Sequence, residues 1–218
     1  MAIEVITKDC SALTDAEMGD MADLSAASED WGAGRLSKET EEWVLVTQAF
    51  EKDKLRGFIF STLERIGGTP SLVVGVACVA QTRSRSSILR GLMHGQFHKT
   101  LMAFPDEDVV IATRAGSPGA FEALKELDDI CPWPGQRANG EERAWGRRLA
   151  KRFGAAGFED RTMVATGDAD AMVFDHESAK PPPVAELFAD CTRADGDHVI
   201  AWGWAMAEFL DKFHSPAS

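Results

Sequence analysis

The sequence predicts an α+β fold: a largely antiparallel sheet with flanking helices. Three observations carry that expectation. Strand-like runs at Trp43 to Phe50, Leu55 to Arg65 and Ser71 to Ala80 are separated only by EKDK and GGTP, turns short enough for an antiparallel meander. The run DVVIAT (108–113) is almost wholly apolar, as a strand covered on both faces should be. Helical patterns stand before the meander, after it, and after DVVIAT.

Taken in order, AIEVIT (2–7) alternates and reads as a first strand. Leu13 to Ser28 reads as a helix, with Thr14 as N-cap and Glu17 completing a capping box. EDWGAGRLS reads as a loop because of its glycines. After the meander, Ser86 or Ser87 can cap a helix that runs to about Phe104. In GSPGAFEALKEL, Ser117 is placed to cap and Pro118 to occupy the first helical position. DICPWPGQRANG reads as irregular. Glu141 to Phe153 reads as a charged helix that stops at Gly154. Arg161 to Ala165 and Ala171 to Phe174 are candidate strands, and KPPP (180–183) is stiff punctuation. PVAELFADC reads as a short helix and HVIAWGWAMAEFLDKF as an apolar strand or helix. The expected organisation is a body over 1–178 with a C-terminal extension, 179–218, packed back on it.

The 218 residues suffice for one sizeable core. An apolar fraction of 44% and a charged fraction of 27% are those of an ordinary globular protein. No run approaches the ~20 apolar residues of a membrane span, and the start lacks the pattern of a signal peptide. Cys10, Cys78, Cys131 and Cys191 are scattered without a C-x-x-C pair, which argues against a metal cage or disulfide framework and for a cytoplasmic location. The net charge of −12 opposes general nucleic-acid binding, which needs a basic surface. Against that background, a local basic patch can still attract a small anion.

Such a patch lies in VAQTRSRSSILRGLM (79–93). A strand feeding a helix through a tight loop leaves the first helical amides unpaired, and these amides with the helix dipole attract an anion. Arg83 and Arg85 can add charge-assisted hydrogen bonds, while Ser84, Ser86 and Ser87 add small donors. The loop therefore reads as a pyrophosphate cradle; the plainer reading is a solvated helix start.

With these residues the sequence resembles the GNAT acetyltransferase superfamily, whose members bind acetyl-CoA. Val79-Ala80-Gln81 falls over that family's V-x-P, and Ser84 to Leu89 over its R/Q-x-x-G-x-G/A loop, or Arg83 over the first position if the register slips by one. DVVIATRAGSPGAFEAL resembles the next strand and N-x-x-A helix, with Ser117 in the Asn position and Ala120 matching the Ala. The likeness covers roughly residues 1 to 130. It implies a three-layer α/β arrangement with a mixed, largely antiparallel central sheet. It also implies that Val76, Ala77, Cys78 and Val79 pair with the pantetheine arm, and that Arg83, Ser84, Arg85, Ser86, Ser87 and Ile88, with Ser117, line the cofactor site. The implied reaction is direct transfer of an acetyl group from acetyl-CoA to a primary amine of a small molecule or peptide; a homodimer is a possible assembly. Leu89 replaces the second loop glycine, and Leu124 stands where many members carry a tyrosine that protonates the leaving thiolate. The chain has no tyrosine at all, so water or Cys131 would have to serve. Glu64, and Glu29 or Asp30, are candidates for the general base. The alternative is a catalytically inactive binding module on the same fold, acting through a CoA-like ligand or a protein partner.

Other features have plainer readings. His94 and His98 share a helix face but lack a third metal ligand. Asp168, Asp170, Asp175 and His176 read as turn chemistry. ERAWGRRLAKRF reads as a solvated helix face. Trp145, Trp202 and Trp204 read as core or lid, whereas Trp31 and Trp133 fall in loops and could line an acceptor pocket.

Overall fold

The computed structural model describes residues 3–26, 33–167, 172–180 and 182–214. Nine strands form one sheet: β1 (Glu4–Asp9), β2 (Leu45–Glu51), β3 (Lys54–Ile66), β4 (Thr69–Val79), β5 (Val109–Ala115), β6 (Asp128–Cys131), β7 (Gly157–Glu159), β8 (Val164–Thr166) and β9 (His198–Ala205). The order is β1-β2-β3-β4-β5-β9-β8-β7, with β6 paired to β9. Among the described strands only β4 and β5 run parallel, and every other strand pair is antiparallel. The mixed, largely antiparallel sheet of an α+β protein is therefore as the sequence predicts. The C-terminal residues supply β9, which lies between β5 and β8.

Among the described residues five α-helices flank the sheet: α1 (Asp15–Ala26), α2 (Ala33–Glu42), α3 (Arg85–Ala103), α4 (Gly140–Arg152) and the short α5 (Ala207–Leu210). α1 carries the expected capping box, with Glu17 accepting from the Thr14 amide (2.9 Å) and its own amide donating to Thr14 Oγ1 (3.3 Å). α3 is pinned to the meander by a buried polar line. Ser61 Oγ donates to Gln96 Oε1 (2.8 Å), and Gln96 Nε2 donates to Thr47 Oγ1 (2.7 Å). Each polar group in that line has a partner, so its burial is tolerated.

Three stretches differ from the sequence reading. Much of the glycine-bearing segment expected as loop is α2. Leu36, Glu39 and Trp43, at i, i+3 and i+7, are buried along one side and hold it. The segment after Ser117 is a 3-10 helix, Pro118–Leu124. The irregular segment after it contains β6. α4 starts from a capping box that the sequence reading overlooked: Asn139 Oδ1 accepts from the amides of Glu141 and Glu142, and Glu142 accepts from the Asn139 amide.

Candidate functional site

The parallel pair β4–β5 is short. Ser71 to Val74 lie against Val110 to Thr113, and there the pairing ends. β4 continues to Val79 along β3, and β5 continues to Ala115 along β9, so the sheet opens between them. A bulge sits at the opening: Ile59 faces Ala77 but Ser61 faces Val74, which puts an extra residue into β4 around Gly75 and Val76. Such an insertion bends the strand away from its neighbour. Gly75 is required for a second reason. A Cβ there would lie 2.3 Å from the Trp43 indole, which rests directly on the backbone.

The opening is occupied by the chain itself. Phe174 forms a parallel bridge to Ala115. The Phe174 amide donates to Arg114 O (2.9 Å), and the Gly116 amide donates to Phe174 O (2.9 Å). β9 already holds the other edge of β5 through Ala115, so Phe174 takes the edge that faces β4. Val76 and Ala77 are 0% exposed, Cys78 is 1% and Phe174 is 0%. The edge of β4 expected to pair with a pantetheine arm is thus closed to solvent.

The following residues cover the start of α3. Arg85 Nε donates to Glu177 O (2.6 Å), while Arg85 Nη1 donates to Thr82 O (3.2 Å). Ser178 Oγ donates to Glu122 (2.6 Å), and His176 Nε2 lies 3.2 Å from the same carboxylate oxygen. Ser86 also hydrogen-bonds to Glu122. Ser117 Oγ spans the His176 backbone, accepting from its amide and donating to its carbonyl at 3.4 Å each. Gly119 allows this approach, for a Cβ there would lie 1.7 Å from His176 O. The helix start therefore has an internal anion, the Glu122 carboxylate, on the first turn where a phosphate was expected.

The electrostatics agree with this assignment. Burial works to raise the Glu122 pKa, but hydrogen bonds from Ser178 and Ser86 and the nearby His176 and Lys125 outweigh it and hold the carboxyl below its ordinary value. Burial, aided by Arg85, lowers the His176 pKa against the pull of Glu122 and Asp175. His176 is therefore neutral at pH 7, with its Nε2 proton directed at Glu122. Both shifts have the same sign for folding. A lowered histidine pKa contributes stability above the unfolded value of about 6.5 that is lost as pH falls toward the folded value; a lowered carboxyl pKa acts likewise below about 4.3. Acidification from pH 7.5 to 5.5 is expected to loosen residues 172–178. Amide exchange in that segment, corrected for intrinsic rates, should accelerate relative to β3. His176→Gln should abolish the difference, and an unchanged ratio in the wild type would count against the assignment.

The remaining expected site residues are dispersed. Ser84 caps α3 through its carbonyl, which accepts from the amides of Ser87 and Ile88. Arg83 and Ser87 are exposed, and Ile88 is core. Glu64 lies opposite Ser71 near the beginning of β4, about 26 Å along the strand from Val79. Its carboxylate accepts from Arg152 Nε (2.5 Å). Cys131 is buried on β6 beside Trp202, where burial pushes its thiol up to about 12. Donating a proton from there to a thiolate of ordinary basicity, about 8.5, is uphill. Glu29 and Asp30, with Trp31, Asp168 and Asp170, lie outside the described residues. His94 meets Glu126 (3.2 Å), and His98 Nδ1 meets Phe213 O (2.7 Å). Among the described residues no cluster of three or more His, Cys, Asp or Glu could hold a metal, and no helix is long and apolar enough to cross a membrane.

Sequence reading missed the cluster beside the opening. Trp43 Nε1 donates to Glu39 (2.8 Å), and the guanidinium groups of Arg114 and Arg152 lie 6.0 and 5.5 Å from the Trp43 ring. Burial raises the Glu39 pKa.

The geometry defines a splayed mixed sheet with a strand–loop–helix anion site that is filled from within. Neither a family model nor a curated protein matches the chain. Among solved structures it is similar to aminoglycoside 6'-acetyltransferase type Ii, at 14% identity and a TM-score of 0.42, over 59% of this chain and 86% of that one. It is also similar to the ribosomal-protein-S18-alanine N-acetyltransferase from Escherichia coli, at 11% identity and 0.43, over 58% and 81%. A third is Escherichia coli ElaA, at 13% and 0.42, over 63% and 92%.

Proposed function

We propose that this chain is a non-catalytic binding module on a GNAT-like fold, with the acyl-CoA slot taken by its own residues 172–178. The observation that carries this reading is the Phe174–Ala115 bridge in the β4–β5 opening. This single backbone bridge supports the reading, because it fills the edge of β5 in the opening that a pantetheine arm would need. Among the described residues, the expected proton-transfer groups are poorly suited to acetyl transfer: the Cys131 thiol is too weak an acid and Glu64 is clamped by Arg152, and the chain has no tyrosine.

A second reading has its own support. The bulge at Gly75 and the exposed Arg83 are what an acetyl-CoA slot needs, and a cofactor could displace the segment. Transfer to an amine acceptor would then rest on alignment of the thioester in the opening. Calorimetric titration with CoA and acetyl-CoA separates the two. The expected result is no saturable heat up to 1 mM ligand, on the order of the weakest useful cofactor affinity. Micromolar binding that Arg83→Ala/Arg85→Ala weakens would overturn the non-catalytic reading and start a screen of amine acceptors.

A further inference from the structure

A separate cavity of about 770 Å³ opens at the other end of α4, between β6, β9 and the helix start. Its size is that of a small-molecule site. α4 is about 18 Å long from Glu141 to Arg152, and Arg152 stacks on Trp43 at the sheet opening. The cavity is therefore distinct from the β4–β5 slot.

Its walls are indoles. Trp145 and Trp204 meet at 88° with centroids 6.1 Å apart, and Trp133 closes a further side. Trp202, almost wholly buried, forms part of the base. Arg148 already stacks on Trp145 at 5.3 Å, which leaves the half-buried Trp133 and Trp204 as the rings a ligand can reach.

Apart from Arg148, which is stacked on Trp145, the charges at the cavity have one sign. Asp128, Asp129, Glu141 and Glu142 line the cavity, and no lysine or arginine does. Glu142 serves the α4 cap. Asp128, Asp129 and Glu141 are exposed, and none of them is in an ion pair among the described residues. The positive end of α4 is already satisfied by Asn139 and Glu142, so it does not call for an anion.

We infer that this cavity binds an organic cation of the alkylated-ammonium class. Indole faces attract a cation through the ring quadrupole, and the gain is largest for a cation that sheds its water cheaply. A quaternary ammonium ion meets that condition; a primary ammonium holds its water more strongly. The carboxylates stand at exposed positions of the rim, where they concentrate cations without needing a hydrogen-bond donor from the ligand. A quaternary nitrogen cannot be acylated, so a quaternary ligand held here is not an N-acetyl acceptor, and the inference holds whether the β4–β5 slot is closed or not.

The test is titration of the full chain with tetramethylammonium chloride, followed by tryptophan fluorescence and calorimetry at constant ionic strength. Saturable binding is expected, with no response to sodium chloride or to neutral tert-butanol. Trp133→Ala is expected to weaken binding roughly five- to thirty-fold, the range a cation gains on a desolvated indole face. Asp128→Asn/Asp129→Asn, at exposed sites where folding is not at stake, should weaken it severalfold and flatten its salt dependence. Absence of saturation at 50 mM probe, on the order of ten times the weakest affinity a single cation–π contact with electrostatic help should give, would overturn the inference. So would equal affinity in both variants, or an equal response to tert-butanol.

Discussion

Gly119→Ala releases residues 172–178 from the sheet opening. The added Cβ would stand 1.7 Å from the His176 carbonyl oxygen and 3.0 Å from the Ser178 amide. Both neighbours are backbone, so no rotamer change relieves the clash. Either the 3-10 helix Pro118–Leu124 or the covering segment must move. The helix is fastened by Ala120, Phe121 and Leu124 in the core. The segment is fastened by Met172, Val173 and Phe174 in the core and by the contacts of Ser117, Glu122 and Arg85, but it has one isolated bridge and no regular backbone ladder of its own. The segment is therefore the side that yields. Overpacking of this kind costs about 1–3 kcal/mol, which corresponds to roughly a five- to 150-fold rise in local opening. Amide exchange at Phe174 and cleavage by a dilute protease between 172 and 178 report it directly. Protection equal to that of the wild type would show that the close contact does not hold the segment. The same variant probes the slot. If opening it lets acetyl-CoA bind where the wild type does not, residues 172–178 are the plug that the bridge at Ala115 describes.

That plug marks the limit of what the sequence could disclose. Local signals were enough for β1 to β5, for the Thr14–Glu17 cap and for the strand–loop–helix around Arg83 and Arg85. Each of these is written within a window of a few turns or strands. The occupant of the loop is not. Arg85 and Glu177 are 92 residues apart, and nothing near either one names the other. His176 read as part of an acidic turn because its partner, Glu122, is on a different element. The final apolar run was ambiguous between strand and helix for the same reason. His198 to Ala205 lies between β5 and β8 in the sheet and is buried along nearly its whole length, and a strand covered on both faces loses the alternation that identifies one. α2 was missed because two glycines and a polar composition hid three buried positions. Its anchor residues are informative only once Trp43 is known to lie on Gly75.

Trp43→Ala should lower stability more than any other single change considered. The side chain is 2% exposed. Its removal leaves a cavity above Gly75, takes the ring away from Arg114 and Arg152, and strips the Nε1 donor from Glu39. Truncation of a buried Trp costs about 3–5 kcal/mol, a large share of the 5–15 kcal/mol that holds an ordinary domain together. The loss should grow as pH rises from about 4.3. Burial raises the Glu39 pKa in the fold, so the folded state binds more protons there than the unfolded chain and stability falls with rising pH. Without the indole donor, the buried carboxylate is less well served still. Guanidinium unfolding at pH 5 and pH 8 measures both effects. Because Trp43→Ala alone could abolish folding, the sharper measurement is the cycle with Gly75→Ala. In the wild-type background the new Cβ would lie 2.3 Å from the indole and must force it out. In the Trp43→Ala background the same methyl enters the vacated space. Gly75→Ala should therefore destabilise the wild type and be neutral or stabilising in the variant, a coupling of at least about 1 kcal/mol. Additive effects would mean that the indole does not rest on β4 at its bulge, and the account of why the sheet opens at that residue would go with it.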